Sequence, residues 1–319
     1  MPNALLVYNP VAGRYPSHLL TERAASVLQS RGWQIEIATT QSGEHITQLA
    51  QQAVQDGRDA FIVVGGDGSV NRALPGLLGG QTALGVLPAG TANVWAQELD
   101  LPGLTWTRLN ALEESARRLS NAEIRSVDVG LCNGTPFLLW AGVGLDGFIV
   151  NRIEPRNQWE KPFAALYYGA KAVWEAGQWH GFELNVMDGE RRLSGRYMLG
   201  VVSNIHLYAG GLARLSPGAH MDDGVMDLWL FEGSTFEEIL LQAWNLLSGR
   251  HVQSERVHYV PIHRISLRSD SPMYVQIDGE PEQGGEQIDI QVLPQALHVL
   301  VPENAPQSLY TQSAIKSLE

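Results

Sequence analysis

The sequence predicts an α/β unit built on a parallel sheet, followed by a unit dominated by strands. Three observations predict it. Short, wholly apolar runs alternate with helical patterns over the first third of the chain. Runs of that kind are strands buried on both faces, the signature of a parallel sheet covered by helices. Nearly every such run ends in a glycine-rich or Asn-Pro turn. Past residue 122 helical spacing gives way to strand patterns broken by turn signals such as NGTPF, MDGER and SPGAHMDDG.

The elements follow in order. Ala4 to Tyr8 is an apolar run stopped by Asn9-Pro10, and Leu20, Ala24, Val27 and Leu28 lie at helical spacing over 17–31. WQIEIAT reads as a strand, 44–55 as a helix and AFIVV as a fully buried strand. The stretch FIVVGGDGSVNRALPGLL, 61–78, runs from that strand through three glycines into a helix over 69–78. ALGVL is a further strand, and PAGTANVWAQEL is a loop entering a helix. Trp106, Leu109, Leu112, Ala116 and Leu119 share one stripe and predict a helix over 105–120. The first unit is therefore expected over 1–122 and the second over 123–302, with a polar tail over 303–319 that packs back on the first unit or stays loose. In the second unit DGER signals a hairpin. One helix is expected near 161–176. Another starts at Ser234, where Glu237 completes a capping box, with Phe236, Ile239, Leu240, Ala243, Trp244 and Leu247 on its stripe.

Composition narrows the function. The 319 residues are 44% apolar, ordinary for globular domains, and the net charge of −12 would repel a phosphate backbone, so nucleic acid is not an expected partner. Cys132 is the single cysteine, which excludes an intrachain disulfide and a thiolate zinc site. The histidines show no H-x-x-x-H spacing, and no G-x-S-x-G supports a serine hydrolase. MPNALLVYNP has no basic, long-apolar leader, and no run reaches the roughly 20 apolar residues of a membrane-spanning helix. The expectation is a cytoplasmic protein without a transmembrane segment, able to meet a membrane at its periphery.

Glycines after a buried strand let the backbone turn sharply and let a ligand come close. The helix that follows points free amides and the positive end of its dipole at the turn, which suits an anion. Asp67 in that position would repel a bare phosphate. It makes sense with a divalent metal between them, opposite a substrate hydroxyl, or simply as the N-cap of its helix. VYNPVAGR (7–14) and LPAGTANVWA (87–96), with Gly90, Thr91 and Asn93, repeat the design, so three loops at one sheet edge could surround a polyphosphate. The basic residues within these loops are Arg14 and Arg72. Neither a Walker motif nor G-x-G-x-x-G is present.

VVGGDGSVNRAL, with NPVAG before it and LPAGTANVWA after it, resembles the catalytic region of the diacylglycerol kinase family, bacterial lipid kinases related to sphingosine kinases. The likeness continues in order through AGVGLDG (141–147), YAGGLARLSPGAHMDDGVMDLWLF (208–231) and VQIDGEP (275–281). The resemblance implies a phosphofructokinase/NAD kinase-like nucleotide-binding domain, a β-rich sandwich domain and a cleft between them. It implies an enzyme that uses ATP and Mg2+ to phosphorylate a lipid hydroxyl, such as that of diacylglycerol, presented at a membrane surface. By matching position, Asn9, Pro10, Val11, Ala12, Gly13, Thr39, Gly65, Gly66, Asp67, Gly68, Ser69, Val70, Asn71 and Thr91 would contact ATP. Glu280 would be the proton acceptor. His220, Asp223 and Val225 would hold a magnesium ion, the first and last through backbone carbonyls or water. Asp67 would be catalytic, on the metal or its water.

Alternatives stay open at this stage. GGDG is shared with NAD kinases, so an NAD kinase-like enzyme is one. Many family members carry an acidic residue where this chain has Val94, so a non-catalytic nucleotide- or lipid-binding relative is another, with Asp146 as a nearby substitute carboxylate. Glu280 and Asp223 can each be read as ordinary turn residues. Trp159, Phe163, Tyr167, Tyr168, Trp174, Trp179 and Phe182, near Lys161 and Lys171, could rim an acyl-chain pocket, but a plain helical stripe favours packing within the second unit. An exposed strand edge there would let two copies pair as a homodimer.

Overall fold

The wholly apolar runs form the centre of a parallel sheet in the computed structural model, which describes residues 1–10, 17–153, 177, 179–188 and 191–317. The first unit comprises β1 (Asn3–Tyr8), α1 (Ser17–Ser30), β2 (Gln34–Thr39), α2 (Gly43–Gln55), β3 (Ala60–Gly65), α3 (Asp67–Leu77), β4 (Ala83–Pro88), α4 (Val94–Glu98) and α5 (Ala111–Leu119). The parallel order is β2-β1-β3-β4. Leu6, Phe61, Ile62, Leu84 and Leu87 are fully buried between the helical layers. Helices α2 and α3 pack so closely that a Cβ on Gly76 would stand 2.5 Å from the Thr47 carbonyl oxygen.

The second unit is built on antiparallel strands: β5 (Glu123–Cys132), β6 (Thr135–Phe137), β7 (Trp140–Gly144), α6 (Leu145–Ile153), β8 (Phe182–Asp188), β9 (Arg191–Ser203), β10 (Leu207–Tyr208), β11 (Ala213–Arg214), β12 (Met226–Glu232), α7 (Phe236–Leu247), β13 (Val257–Ile262), β14 (Arg264–Arg268), β15 (Val275–Ile277), β16 (Glu280–Glu282), β17 (Gln287–Val301) and β18 (Lys316–Ser317). NGTPF turns between β5 and β6 with Asn133 at φ 49° and Gly134 at φ 89°, the left-handed pair that matches strand twist in a two-residue hairpin. β8 and β9 pair as the hairpin expected from DGER. A separate core with Leu228, Leu230, Leu267 and Ile288 fills this unit.

One strand serves both units. The first half of β17 pairs with β14, its length pairs with β5, and Val299 lies beside Leu84 of β4 in parallel register. The Gly79 amide donates to the Ala296 carbonyl, which seats the strand against the first unit.

Two local expectations are corrected. Helix α5 starts only at Ala111, and Trp106 and Leu109 are 71% and 50% exposed. Residues 105–110 follow Pro102-Gly103 and fold into turns, with the Arg108 amide donating to the Thr105 carbonyl. The capping box of α7 sits one residue later than expected: the Thr235 hydroxyl accepts from the Glu238 amide, and Glu238 reaches back to the Thr235 amide. Of that helix's predicted stripe Ile239 is buried, whereas Leu240, Trp244 and Leu247 are 49–62% exposed. The helix expected near 161–176, and the aromatic set apart from Trp179 and Phe182, lie outside the described residues.

Candidate active site

The chain leaves β1, β3 and β4 along one edge of the sheet, where the strands of the first unit end. Tyr8 and Thr39 are register partners, so Asn9 and Pro10 leave β1 beside Thr39. Gly65 and Pro88 are likewise paired, and the Ala89 amide donates to the Gly65 carbonyl. The second and third turns then touch backbone to backbone: a Cβ on Gly90 would lie 2.5 Å from Gly66 Cα. Only glycines allow that approach. Asn93, left-handed at φ 55°, closes the third turn by accepting from the Gly90 amide at 2.8 Å and donating to its carbonyl at 3.0 Å. Asn9, Thr39, the run Gly65 to Asn71 and the exposed Thr91 thus share one edge. Val11, Ala12, Gly13 and Arg14 fall outside the described residues.

Asp67 does not cap its own helix. Its Oδ2 accepts the Val94 amide and its Oδ1 the Trp95 amide, each at 3.0 Å, so it caps α4 instead. Burial raises its pKa against the opposing pull of those amides. Val94, at the position where the resemblance implied an acidic residue, is 2% exposed in the core. At the far end of α4, Glu98 accepts the Leu207 amide and pairs with His206 at 2.8 Å, both side chains being 3% exposed. Helix α4 is therefore fixed to the first unit at its start and to the second at its end.

The D-G-E turn faces these loops from the second unit. Asp278 and Gly279 are both left-handed, at φ 49° and 84°. The Asp278 carboxylate accepts the amides of Leu138, Leu139 and Trp140 at 2.9–3.0 Å and the Asn71 side-chain amide at 3.2 Å. Burial pushes the Asp278 carboxyl up to about 7. Glu280 follows, exposed, with its carboxylate over the GGDG loop: a Cβ on Gly68 would stand 3.5 Å from Oε1. The structure thus brings Glu280, Asp67 and the run Gly65 to Asn71 to one cleft. Arg72 lies over the start of α2, where its side chain limits the space at Gly43.

His220, Asp223 and Val225 lie elsewhere, in a turn near the C-terminal segment. The His220 ring donates through Nδ1 to the Ser308 carbonyl, and Asp223 Oδ1 accepts the Val225 amide. Asp128 fastens the turn by accepting the Gly224 amide, and Asp222 accepts from Thr311 and Gln312. Among the described residues no group of three or more His, Cys, Asp or Glu side chains is placed to hold a metal. A cation here would meet the exposed Asp223 carboxylate and main-chain carbonyls, a hard oxygen set that suits magnesium with several retained waters.

Sequence reasoning missed Asp278 and Gln276. Their anchoring roles rest on partners distant in the chain, Leu138 to Trp140 and Asn71 for Asp278 and Asp146 for Gln276. The turn signal around Asp278-Gly279 was the available clue to a fixed loop.

The residues 3–132 match the model of the diacylglycerol kinase catalytic domain, and 141–301 match the model of the YegS C-terminal NAD kinase beta sandwich-like domain. A diacylglycerol kinase of Bacillus subtilis is 26% identical over 316 residues, covering 97% of this chain and 99% of that one. A diacylglycerol kinase of Staphylococcus aureus is 26% identical over 286 residues, covering 87% and 85%. The crystal structure of a diacylglycerol kinase from Bacillus anthracis superposes with a TM-score of 0.75 at 23% identity, covering 94% and 97%. That last likeness concerns the fold.

Proposed function

Because this chain belongs to the family of diacylglycerol kinases and YegS-like lipid kinases, we propose that it transfers a phosphoryl group from ATP to the hydroxyl of a lipid such as diacylglycerol. The observation that carries the reading is the placement of Glu280 over Gly68, in a turn whose backbone meets that of the Pro88 to Asn93 turn at Gly66 and Gly90.

Phosphoryl transfer needs positioning, charge neutralisation and a base near the attacking hydroxyl. The turns at Asn9, Gly65 to Ser69 and Pro88 to Asn93 would hold the nucleotide, with the amides at the start of α3 facing its phosphates. Magnesium would neutralise charge as it spreads over the phosphoryl oxygens. Glu280, the exposed carboxylate of the cleft, would take the proton of the lipid hydroxyl. Asp67 fits a supporting part: with both oxygens accepting α4 amides it holds the third turn against the second. The test is to incubate the protein with ATP, Mg2+ and a panel of hydroxyl lipids, and to identify products by mass spectrometry. A phosphorylated diacylglycerol or related lipid is expected. No product from any lipid, under conditions where ATP stabilises the fold, would refute turnover.

A second reading, a nucleotide-binding relative without turnover, is favoured by one observation. Val94 is buried at the position where the resemblance implied an acidic residue, and the neighbouring Asp67 is already occupied. Thermal stabilisation by ATP without product distinguishes it.

A further inference from the structure

We propose that Gln276 and Asp146 are positioning residues that hold the Asp278-Gly279 turn, and through it the carboxylate of Glu280, against the GGDG loop. The inference rests on reading Glu280 as the proton acceptor.

Asp278 and Gly279, both left-handed, make the two-residue turn of the β15–β16 hairpin, across which Ile277 pairs with Glu280. The hairpin's strands are only three residues long and Glu280 is exposed, so where its tip stands depends on side chains that tie the turn to its surroundings. Asp278 anchors its first residue to β7 and to the segment before it. The second is anchored by Gln276, 2% exposed, whose Oε1 accepts the Gly279 amide at 2.8 Å. Gln276 is aimed by a partner: its Nε2 donates to Asp146 Oδ2 at 2.9 Å. The same oxygen accepts the Tyr208 hydroxyl at 3.0 Å, and Asp146 Oδ1 accepts the Gly147 amide at 2.7 Å. A side-chain amide with both ends committed has one orientation, so it presents its oxygen, not its nitrogen, to Gly279.

The surrounding backbone makes room for this arrangement. A Cβ on Gly142 would lie 1.8 Å from Asp146 Oδ2 and 2.6 Å from Gln276 Nε2, so the lock exists only because that strand position lacks a side chain. Gly147 presses on the Tyr274 carbonyl, where a Cβ would lie at 2.5 Å, and this seats α6 directly on the segment leading to Gln276. Tyr208 stacks edge-on against Trp140, the residue whose amide Asp278 accepts, so both anchors of the turn share one buried neighbourhood. Asp146 therefore acts through Gln276 and needs no contact with substrate.

The test has two arms on the full-length protein. The first reads amide hydrogen exchange at Gly279 and needs no substrate. Gln276→Met, of similar volume, and Asp146→Ala are each expected to speed that exchange by about tenfold or more, as a local hydrogen bond opens. Asp146 does not touch Gly279, so its effect must travel through Gln276. The second arm reads kinetics with ATP and a lipid that the protein phosphorylates. Gln276→Met is expected to lower kcat by roughly 10- to 100-fold, the scale of a misplaced catalytic group, with the KM for ATP unchanged. In a Glu280→Gln background the same change is expected to cost almost nothing more, because both substitutions remove one function. If Gln276→Met does not fold, Asp146→Asn, which keeps the shape, is expected to give an intermediate loss of the same pattern. Unchanged Gly279 exchange, or losses that multiply in the double variant, would overturn the proposal. If the wild-type protein phosphorylates no lipid, the lipid-kinase reading fails, and the exchange arm alone decides whether these residues hold the turn.

Discussion

Asn71 and Asp278, separated by 207 positions in the chain, meet across the cleft at 3.2 Å, the amide of one donating to the carboxylate of the other. Asn71 stands in the helix after the GGDG loop, and Asp278 begins the turn that presents Glu280. The contact thus ties the proposed nucleotide loop to the proposed proton acceptor.

Removing Asp278 should cost more than removing Asn71. Asp278→Ala strands three backbone amides, those of Leu138 and Leu139 and Trp140, in a buried site. Each unsatisfied donor costs about 1–3 kcal/mol, so a loss of about 3 kcal/mol or more is expected. Asn71→Ala forfeits one hydrogen bond, about 1 kcal/mol. Urea unfolding of both variants measures the difference.

Asp67 and Glu280 should separate stability from activity. Glu280→Ala, at an exposed position, should leave stability within about 0.5 kcal/mol while cutting phosphoryl transfer by about a hundredfold or more. Asp67→Ala should lower activity too, but it also uncaps α4 and should cost about 1–2 kcal/mol. Parallel melting curves and lipid phosphorylation assays check both.

The pH dependence has a definite sign. Burial pushes Asp146 up to about 6 and Asp278 up to about 7, from an ordinary value of 3.8. Between about pH 4 and pH 7 the folded chain holds protons at these sites that the unfolded chain has released. Their contribution is therefore greatest below about pH 4 and is lost as pH rises through the folded values. An Asp146→Asn variant, which does not titrate there, should gain ground on the wild type between pH 4 and pH 6, then run parallel to it. Melting temperatures of the pair across pH 4 to 8 test this.

Gly90→Ala should drive the second and third turns apart, since its Cβ would meet Gly66 Cα at 2.5 Å. A backbone clash of this kind costs typically about 1–3 kcal/mol. The proposed nucleotide site should suffer with it, so ATP with Mg2+ should stabilise the variant less than the wild type in a thermal-shift experiment.

Much of the frame was legible in the sequence because its signals are local. The apolar runs before Asn9, Gly65 and Ala89 are wholly buried strands or nearly so, and Asn133-Gly134 makes the hairpin that its residues demand. The helix expected over 105–120 failed at its start because spacing alone cannot see that Trp106 and Leu109 stay 71% and 50% exposed rather than entering the core. STFEE satisfies a capping box in two registers, and the one realised also lets Glu238 accept the Ser234 amide at 2.8 Å. The site was legible as a set of loops but not as a mechanism of assembly. That Asp67 caps α4, and that Gln276 reaches both Asp146 and Gly279, depends on how distant segments fold together.

The strand β17 has a consequence for how the protein is made. The sheet of the first unit ends at β4, and the strand that lies against that edge is among the last to be synthesised. While the ribosome is still translating the middle of the chain, the nascent N-terminal half carries a raw, apolar sheet margin. It is expected to wait, open to chaperones or to misassociation, until the C-terminal residues emerge and close it.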